Sequence, residues 1–197
     1  MSRLNIILLI IIAAIAATAS SALFIVNETQ QALVIQFGEP KRTVDQPGLK
    51  FKLPFIQDVI FFEKRALSFI PDEGEEAILK DQKRLKVDTY ARFKIVDPLR
   101  FYQSVRNEIE ARKQLDTIVD SALREELGLR GLKEILSEQR NSITKNIRDQ
   151  VNIKARTLGM EIIDVQIRRA DYPEVTSQAI FARMISERER IAREFRA

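Results

Sequence analysis

The chain has 197 residues, 32 Lys and Arg against 28 Asp and Glu, a formal net charge of +4, and no Cys, His or Trp. Without His or Cys there is no Ser-His-Asp or Cys-His catalysis, no histidine-ligated zinc, no disulfide and no ordinary near-neutral proton switch. Charges of both signs are interspersed rather than gathered on a basic face with aromatics, the pattern of a mixed solvated surface and not of a nucleic-acid binder.

Residues 4–26 carry no charge. A helix over them rises about 34 Å at ~1.5 Å per residue, enough for a hydrocarbon core of roughly 30 Å. This predicts an N-terminal transmembrane helix with Leu4, Ile10, Ile15, Phe24 and Val26 along it. A secretory signal is the competing reading: Arg3 supplies a basic tip and Ala17-Thr18-Ala19 an A-x-A triplet. The apolar run resumes at Leu23-Phe24-Ile25-Val26, an extension that a spanning helix needs and a signal peptide does not. Arg3 lies before the run, whereas the first charge after it is Glu28. The positive-inside tendency therefore places the amino terminus in the cytoplasm and the rest of the chain outside.

A β-rich stretch follows. Ala32 to Phe37 reads as a short strand ended by Gly38 and Pro40, and a loop runs through Asp45 to Gly48, with Pro47-Gly48 as turn chemistry. Phe51, Leu53 and Phe55 alternate with Lys52 and Pro54. One expectation puts these apolar side chains in the domain core. The other has this loop, with Ile56, dip into a bilayer leaflet while Lys50 and Lys52 stay at the headgroups. Val59 to Phe62 is another apolar run, and residues 71–76 read as an acidic loop. Leu85, Val87, Thr89, Ala91, Phe93 and Ile95 then keep strict period two, a half-buried strand. Asp97-Pro98 ends it.

Beyond Pro98 the period is helical. Ile109, Leu115, Ile118, Val119, Ala122 and Leu123 make one stripe, stopped by Gly128 and Gly131. A second helix begins after Ser137 as cap, carries Ile143, Ile147, Val151, Ala155 and Leu158, and ends at Gly159. Ile163, Val165 and Ile167 return to strand. Pro173 and Glu174 open a last helix. Ile180, Met184, Ile191 and Phe195 form a narrow apolar stripe on it, and Glu189 and Arg193 form an i,i+4 pair. The stripe, the dense mixed charge and the missing stop signal point to helix-to-helix assembly; packing on its own domain is the plainer reading. The expected fold is α+β. It comprises a tip and anchor over 1–27, a β-rich unit over 28–97, an α/β unit over 98–172 and the start of a coiled-coil-like helix over 173–197.

No P-loop, dinucleotide-binding glycine pattern, G-x-S-x-G elbow or H-E-x-x-H helix is present. A Ser-Lys dyad is the one common hydrolase arrangement that the composition permits, and no Ser sits in a recognisable setting for it. The glutamates at 73, 75 and 76 lack the spacing of a calcium loop. No catalytic residue, cofactor or metal site is expected.

Taken in order, these segments resemble the SPFH or band 7 family. Ala32-Leu33-Val34-Ile35-Gln36-Phe37-Gly38 and Pro47-Gly48-Leu49-Lys50-Phe51-Lys52-Leu53-Pro54-Phe55-Ile56 are similar to its opening. Leu79-Lys80-Asp81, Val87-Asp88 and Asp97-Pro98-Leu99-Arg100-Phe101-Tyr102 are similar to its middle, and residues 158–167 to its closing strand. The short amino-terminal tip and Arg183 to Arg193 resemble the family's protease-modulating branch. That resemblance implies a non-enzymatic, single-pass protein of the bacterial inner membrane with its domain in the periplasm. It implies a hetero-oligomeric cage formed with an HflK-like sibling subunit around an FtsH-like membrane protease, controlling access of substrates. A stomatin-like lipid-organising scaffold without a dedicated protease and, at greater distance, an anchored Ser-Lys hydrolase are the alternatives.

Overall fold

A computed structural model of the chain describes residues 12, 20–71, 74–135, 137 and 140–195. Among the described residues nine strands and five helices follow one another. They are β1 (Leu23–Val26), β2 (Gln30–Gln36), β3 (Glu39–Val44), β4 (Gly48–Phe51), β5 (Gln57–Glu63), β6 (Leu67–Phe69), β7 (Glu75–Ile78), β8 (Arg84–Ile95), α1 (Pro98–Ser104), α2 (Glu108–Gly128), α3 (Leu132–Ile135), α4 (Arg140–Thr157), β9 (Met160–Asp171) and α5 (Glu174–Glu194). The fold is α+β, with antiparallel sheets and helices.

The chain's internal contacts gather into two units, each discontinuous in sequence. The first comprises residues up to Leu67 with Phe93–Ala111 and Ala155–Glu161; the second comprises Ser68–Arg92, Arg112–Lys154 and Ile162 onward. Asp97-Pro98 lies inside the first.

In the first unit β2 is the middle strand of an antiparallel sheet ordered β3-β2-β5. Gln31 to Val34 are buried on both faces, as a central strand requires. Gln31 is the one polar side chain among them, and its amide donates to the Ile95 carbonyl at 2.8 Å. One face of the sheet packs Ala32 and Val34 against Val26 and Val44, with Phe24 and Val59 beside them. On the other, Phe62 meets Phe101 of α1 edge to face, ring centres 5.3 Å apart. β3 carries charge, Pro40 and a register shift opposite Val34 and Ile35, three features that protect an edge strand. They also hid it: the sequence alone shows a strand ended by Gly38 and Pro40 and a loop from Asp45 to Gly48, with no strand between.

Asp97 does more than end β8. Its carboxylate accepts from the Leu99 and Arg100 amides, both 3.1 Å, and so caps α1, with Pro98 in the first turn. Gly159 sits at φ +80 where α4 gives way to β9, and a Cβ there would lie 2.5 Å from the Asp97 carbonyl oxygen and 2.7 Å from the Phe101 nitrogen. Its own carbonyl accepts the amides of Val96 and Asp97, each at 3.0 Å.

In the second unit β8 lies between β6 and β7, and β9 also pairs with β8. Every second residue of β8 from Leu85 to Ile95 is buried, as the alternation requires. Leu115, Val119, Ala122 and Leu123 of α2 and Ile143, Ile147 and Val151 of α4 are buried too. Three details differ from the sequence reading. Ile109 is exposed, at the first turn of α2. Glu75 and Glu76 begin β7 rather than closing a loop, and Glu75 accepts from Arg124 at 2.6 Å. In β9 the inward set is Met160 and Ile162, then Val165 and Ile167, so alternation slips one place at Ile163 and Asp164.

Candidate functional site

β1 and β4 form a two-stranded antiparallel ribbon in which Leu23 opposes Phe51, Phe24 opposes Lys50, Ile25 opposes Leu49 and Val26 opposes Gly48. Alternation sends Phe24 and Val26 inward to the sheet, where Val26 is 1% exposed. Leu23, Ile25, Leu49 and Phe51 share the other face, and all four are exposed. The ribbon therefore carries apolar side chains on both sides, Phe24 and Val26 packed on the sheet beside Lys50, and Leu23, Ile25, Leu49 and Phe51 left exposed.

The exposed apolar surface continues at one end of the unit. β4 leads through Leu53, Phe55 and Ile56, all exposed, into β5, whose first residue Gln57 pairs with Gln36 of β2. The next residue after Gln36 is Phe37. Thus Phe37 and Phe55 mark two turns at the same sheet end, 84% and 88% exposed. Both have left-handed backbones, φ 51 at Phe37 and 66 at Phe55. Phe37 and Gly38 (φ 84) form a two-residue hairpin turn, whose first position favours Asn or Gly. A bulky residue with positive φ costs roughly 1–3 kcal/mol. Two exposed aromatics with left-handed backbones at one edge mark it as the candidate site. Phe55 was legible in sequence through its alternation with Lys and Pro, whereas Phe37 looked like the end of a core strand.

These positions correct two expectations. Phe51, Leu53, Phe55 and Ile56 do not enter the core, because Val26, Ala32, Val34 and Val44 already fill it. The uncharged run is not one helix to Val26: Ser20 and Ser21 are helical, Ala22 turns, and Leu23–Val26 is strand. Phe24 and Val26 are thus sheet-packing residues and not part of a membrane span. Leu4, Ile10 and Ile15 lie outside the described residues. No helix among the described residues is long and apolar enough to cross a membrane. Residues 4–22 remain uncharged.

The assembly candidates lie on α5. Met184 (47%), Ile191 (39%) and Phe195 (88%) are exposed, and Phe195 caps the carboxyl end of the helix. Phe181 and Ile185 are exposed beside them. The Ile180 side chain lies outside the described residues. The expected Glu189–Arg193 ion pair does not form: Arg193 Nε donates to the Glu189 backbone carbonyl at 3.3 Å. Arg190 holds the carboxylates instead, bonding Glu187 at 2.5 Å and Glu194 at 2.7 Å. These pairs raise the Arg190 pKa, chiefly through the Glu187 hydrogen bond.

A cleft of about 280 Å³ lies beside Gly159, bordered by Val96, Asp97, Arg100, Arg156, Met160 and Glu161. Its charges are paired within the protein: Arg100 with Asp97 at 3.3 Å, and Glu161 with Lys94 at 2.7 Å and Arg156 at 3.4 Å. The Lys94 hydrogen bond holds the Glu161 carboxyl below its usual range. No hydroxyl nucleophile borders it. Among the described residues no group of His, Cys, Asp or Glu is placed to hold a metal ion.

The model of the SPFH domain / Band 7 family matches residues 24–197. The chain belongs to that family. Its relatives include Protein HflC of Buchnera aphidicola subsp. Schizaphis graminum, 30% identical over 200 residues that cover 90% of this chain and 65% of the relative. Protein HflC of Haemophilus influenzae is 30% identical over 193 residues, 92% of this chain and 65% of the relative. The Modulator of FtsH protease HflC of Escherichia coli K12 is 27% identical over 223 residues, 89% of this chain and 66% of the relative. The chain spans about 65% of the length of the HflC proteins it matches. The family match begins at Phe24, inside β1, in agreement with a folded domain that starts at the ribbon and not after it.

Proposed function

We propose that this chain is a non-enzymatic, HflC-like membrane scaffold that modulates an FtsH-like membrane protease. Residues 4–22 anchor it, with the amino terminus in the cytoplasm and the SPFH domain in the periplasm. The first unit, through its β1–β4 ribbon, rests on the outer leaflet of the inner membrane. α5, over 173–197, packs against neighbouring helices. With an HflK-like sibling it builds a hetero-oligomeric wall that limits which substrates reach the protease. The reading rests on one observation above all. The outward apolar face of Leu23, Ile25, Leu49 and Phe51 begins inside the uncharged run of residues 4–26, where that run turns from helix to strand. Such a face is stable next to lipid and costly next to water. The likeness to HflC supplies the protease as partner.

The same face favours a second reading, a stomatin-like scaffold that organises lipid with no dedicated protease. Purification of the tagged protein in mild detergent separates the two. Recovery of an HflK-like subunit and an FtsH-like protease supports the modulator, and homomeric rings alone support the lipid scaffold.

A further inference from the structure

The apolar end of the first unit carries an excess of cations. We infer that it is a binding edge for anionic phospholipid, a proposal that rests on the membrane contact just described and names its headgroup class. Four cations, Lys41, Arg42, Lys50 and Lys52, stand at this end against two carboxylates, Glu39 and Asp58. Glu39 is occupied by Lys41 at 3.4 Å. Lys50 and Lys52 have no ion pair among the described residues. Arg42 reaches from β3 to the backbone carbonyl of Phe51, which fixes its guanidinium beside the outward aromatic. The Lys52 amide donates to the Ala22 carbonyl at 2.7 Å, so this lysine stands where the uncharged run enters the domain.

The ribbon's alternation fits that role. Leu49 and Phe51 face outward, whereas Lys50 and Lys52 leave from the alternate side, half-buried. Half-buried lysines beside exposed aromatics suit the snorkelling arrangement of an interfacial segment. At the far end of the ribbon Glu28 and Asp45 stand beside the turns, and Lys64 there donates to the Asp45 carbonyl at 2.8 Å. The cations thus gather where phosphates would be, next to Phe55 and Phe37. A basic residue near an anionic surface contributes about a fivefold preference, the equivalent of about 1 kcal/mol.

The chain's lack of tryptophan makes a clean test. Phe55→Trp in the whole 197-residue chain places a single indole at the tip. The protein is reconstituted in nanodiscs of phosphatidylcholine alone or with a third phosphatidylglycerol. The expected result is blue-shifted emission and protection from acrylamide in the anionic discs, with weaker docking in the zwitterionic ones. Salt at 1 M, where the Debye length falls to about 3 Å, should abolish the difference. Lys50→Gln with Lys52→Gln should lower the docked-to-undocked ratio in anionic discs roughly 25-fold, with circular dichroism unchanged. Equal blue shifts in both lipids, insensitive to salt and to the lysine changes, would overturn the headgroup preference and leave the membrane contact standing. A solvent-exposed indole in both would overturn the membrane contact as well.

Discussion

Leu23 and Phe51 stand opposite each other across the β1–β4 ribbon with both side chains facing outward, while Val26, three residues along β1, is buried in the sheet core. Stability and lipid contact therefore separate by strand parity. Phe51→Ser should change the unfolding free energy by less than about 1 kcal/mol, as exposed positions do, and should weaken lipid contact. Val26→Ser buries a hydroxyl and leaves a void, and should cost about 3 kcal/mol. Denaturant midpoints of the two variants in one detergent check the order; equal losses would refute it.

Phe37 occupies a turn position where Asn is at ease. Phe37→Asn should raise stability by about 1 kcal/mol through relief of the left-handed strain. The same change should loosen lipid contact. A gain in one measurement with a loss in the other is the signature of a residue kept for the membrane.

Gly159→Ala should destabilise by more than about 2 kcal/mol. The new methyl would meet the backbone of Asp97 and Phe101, and φ +80 suits only glycine well. Thermal melting of the variant should show it, and an unchanged midpoint would mean that the α4–β9 turn can move away from the α1 cap.

Burial, then the Asp116 and Glu75 carboxylates, push the Asp120 pKa up from 3.8 to about 6 against the opposing pull of Arg124. A carboxyl raised in the folded state favours folding while it is protonated, and that contribution is lost as pH rises through about 6. Asp120 is partly solvated, so the cost at neutral pH is about 1 kcal/mol once screening is allowed for. Asp120→Asn should stabilise by that amount at pH 7.5, with the gain fading towards pH 4. Urea unfolding across this range measures it, and a gain that does not depend on pH would contradict the assignment.

Met184 and Ile191 have little to lose in the isolated chain, since both are exposed on α5. Met184→Glu with Ile191→Glu should leave the melting midpoint within ~1 °C, because surface changes move stability little. It should reduce the mass of the detergent-extracted assembly, read by native mass spectrometry. An unchanged assembly would remove α5 from the proposed wall.

Period-two strands were the most legible part of the sequence. Leu85 to Ile95 alternates without interruption, and each expected residue is buried. The α2 and α4 stripes read equally well from Leu115 to Leu123 and from Ile143 to Ala155. Alternation alone could not say which side of the β4 ribbon is the inside. Leu49, Phe51 and Leu53 alternate as a core strand would, and only the partner strand shows that the inner side is taken by Phe24 and Val26. Hydrophobicity likewise could not tell membrane from sheet in Leu23–Val26, since both want the same residues. The α5 ion pairs were misassigned because spacing permits Glu189–Arg193, whereas Arg190 has carboxylates on both sides, at Glu187 and Glu194.

Ala22 is the whole joint between helical Ser21 and the first residue of β1. It is buried, and its carbonyl is tied to the Lys52 amide. A joint of one buried, hydrogen-bonded residue couples the direction of Ser20–Ser21 to that of β1. Helices that cross thinner bilayers tilt further from the normal. On the anchored reading, that tilt passes into the ribbon as a change of pitch, and local bilayer thickness sets the angle at which the domain stands.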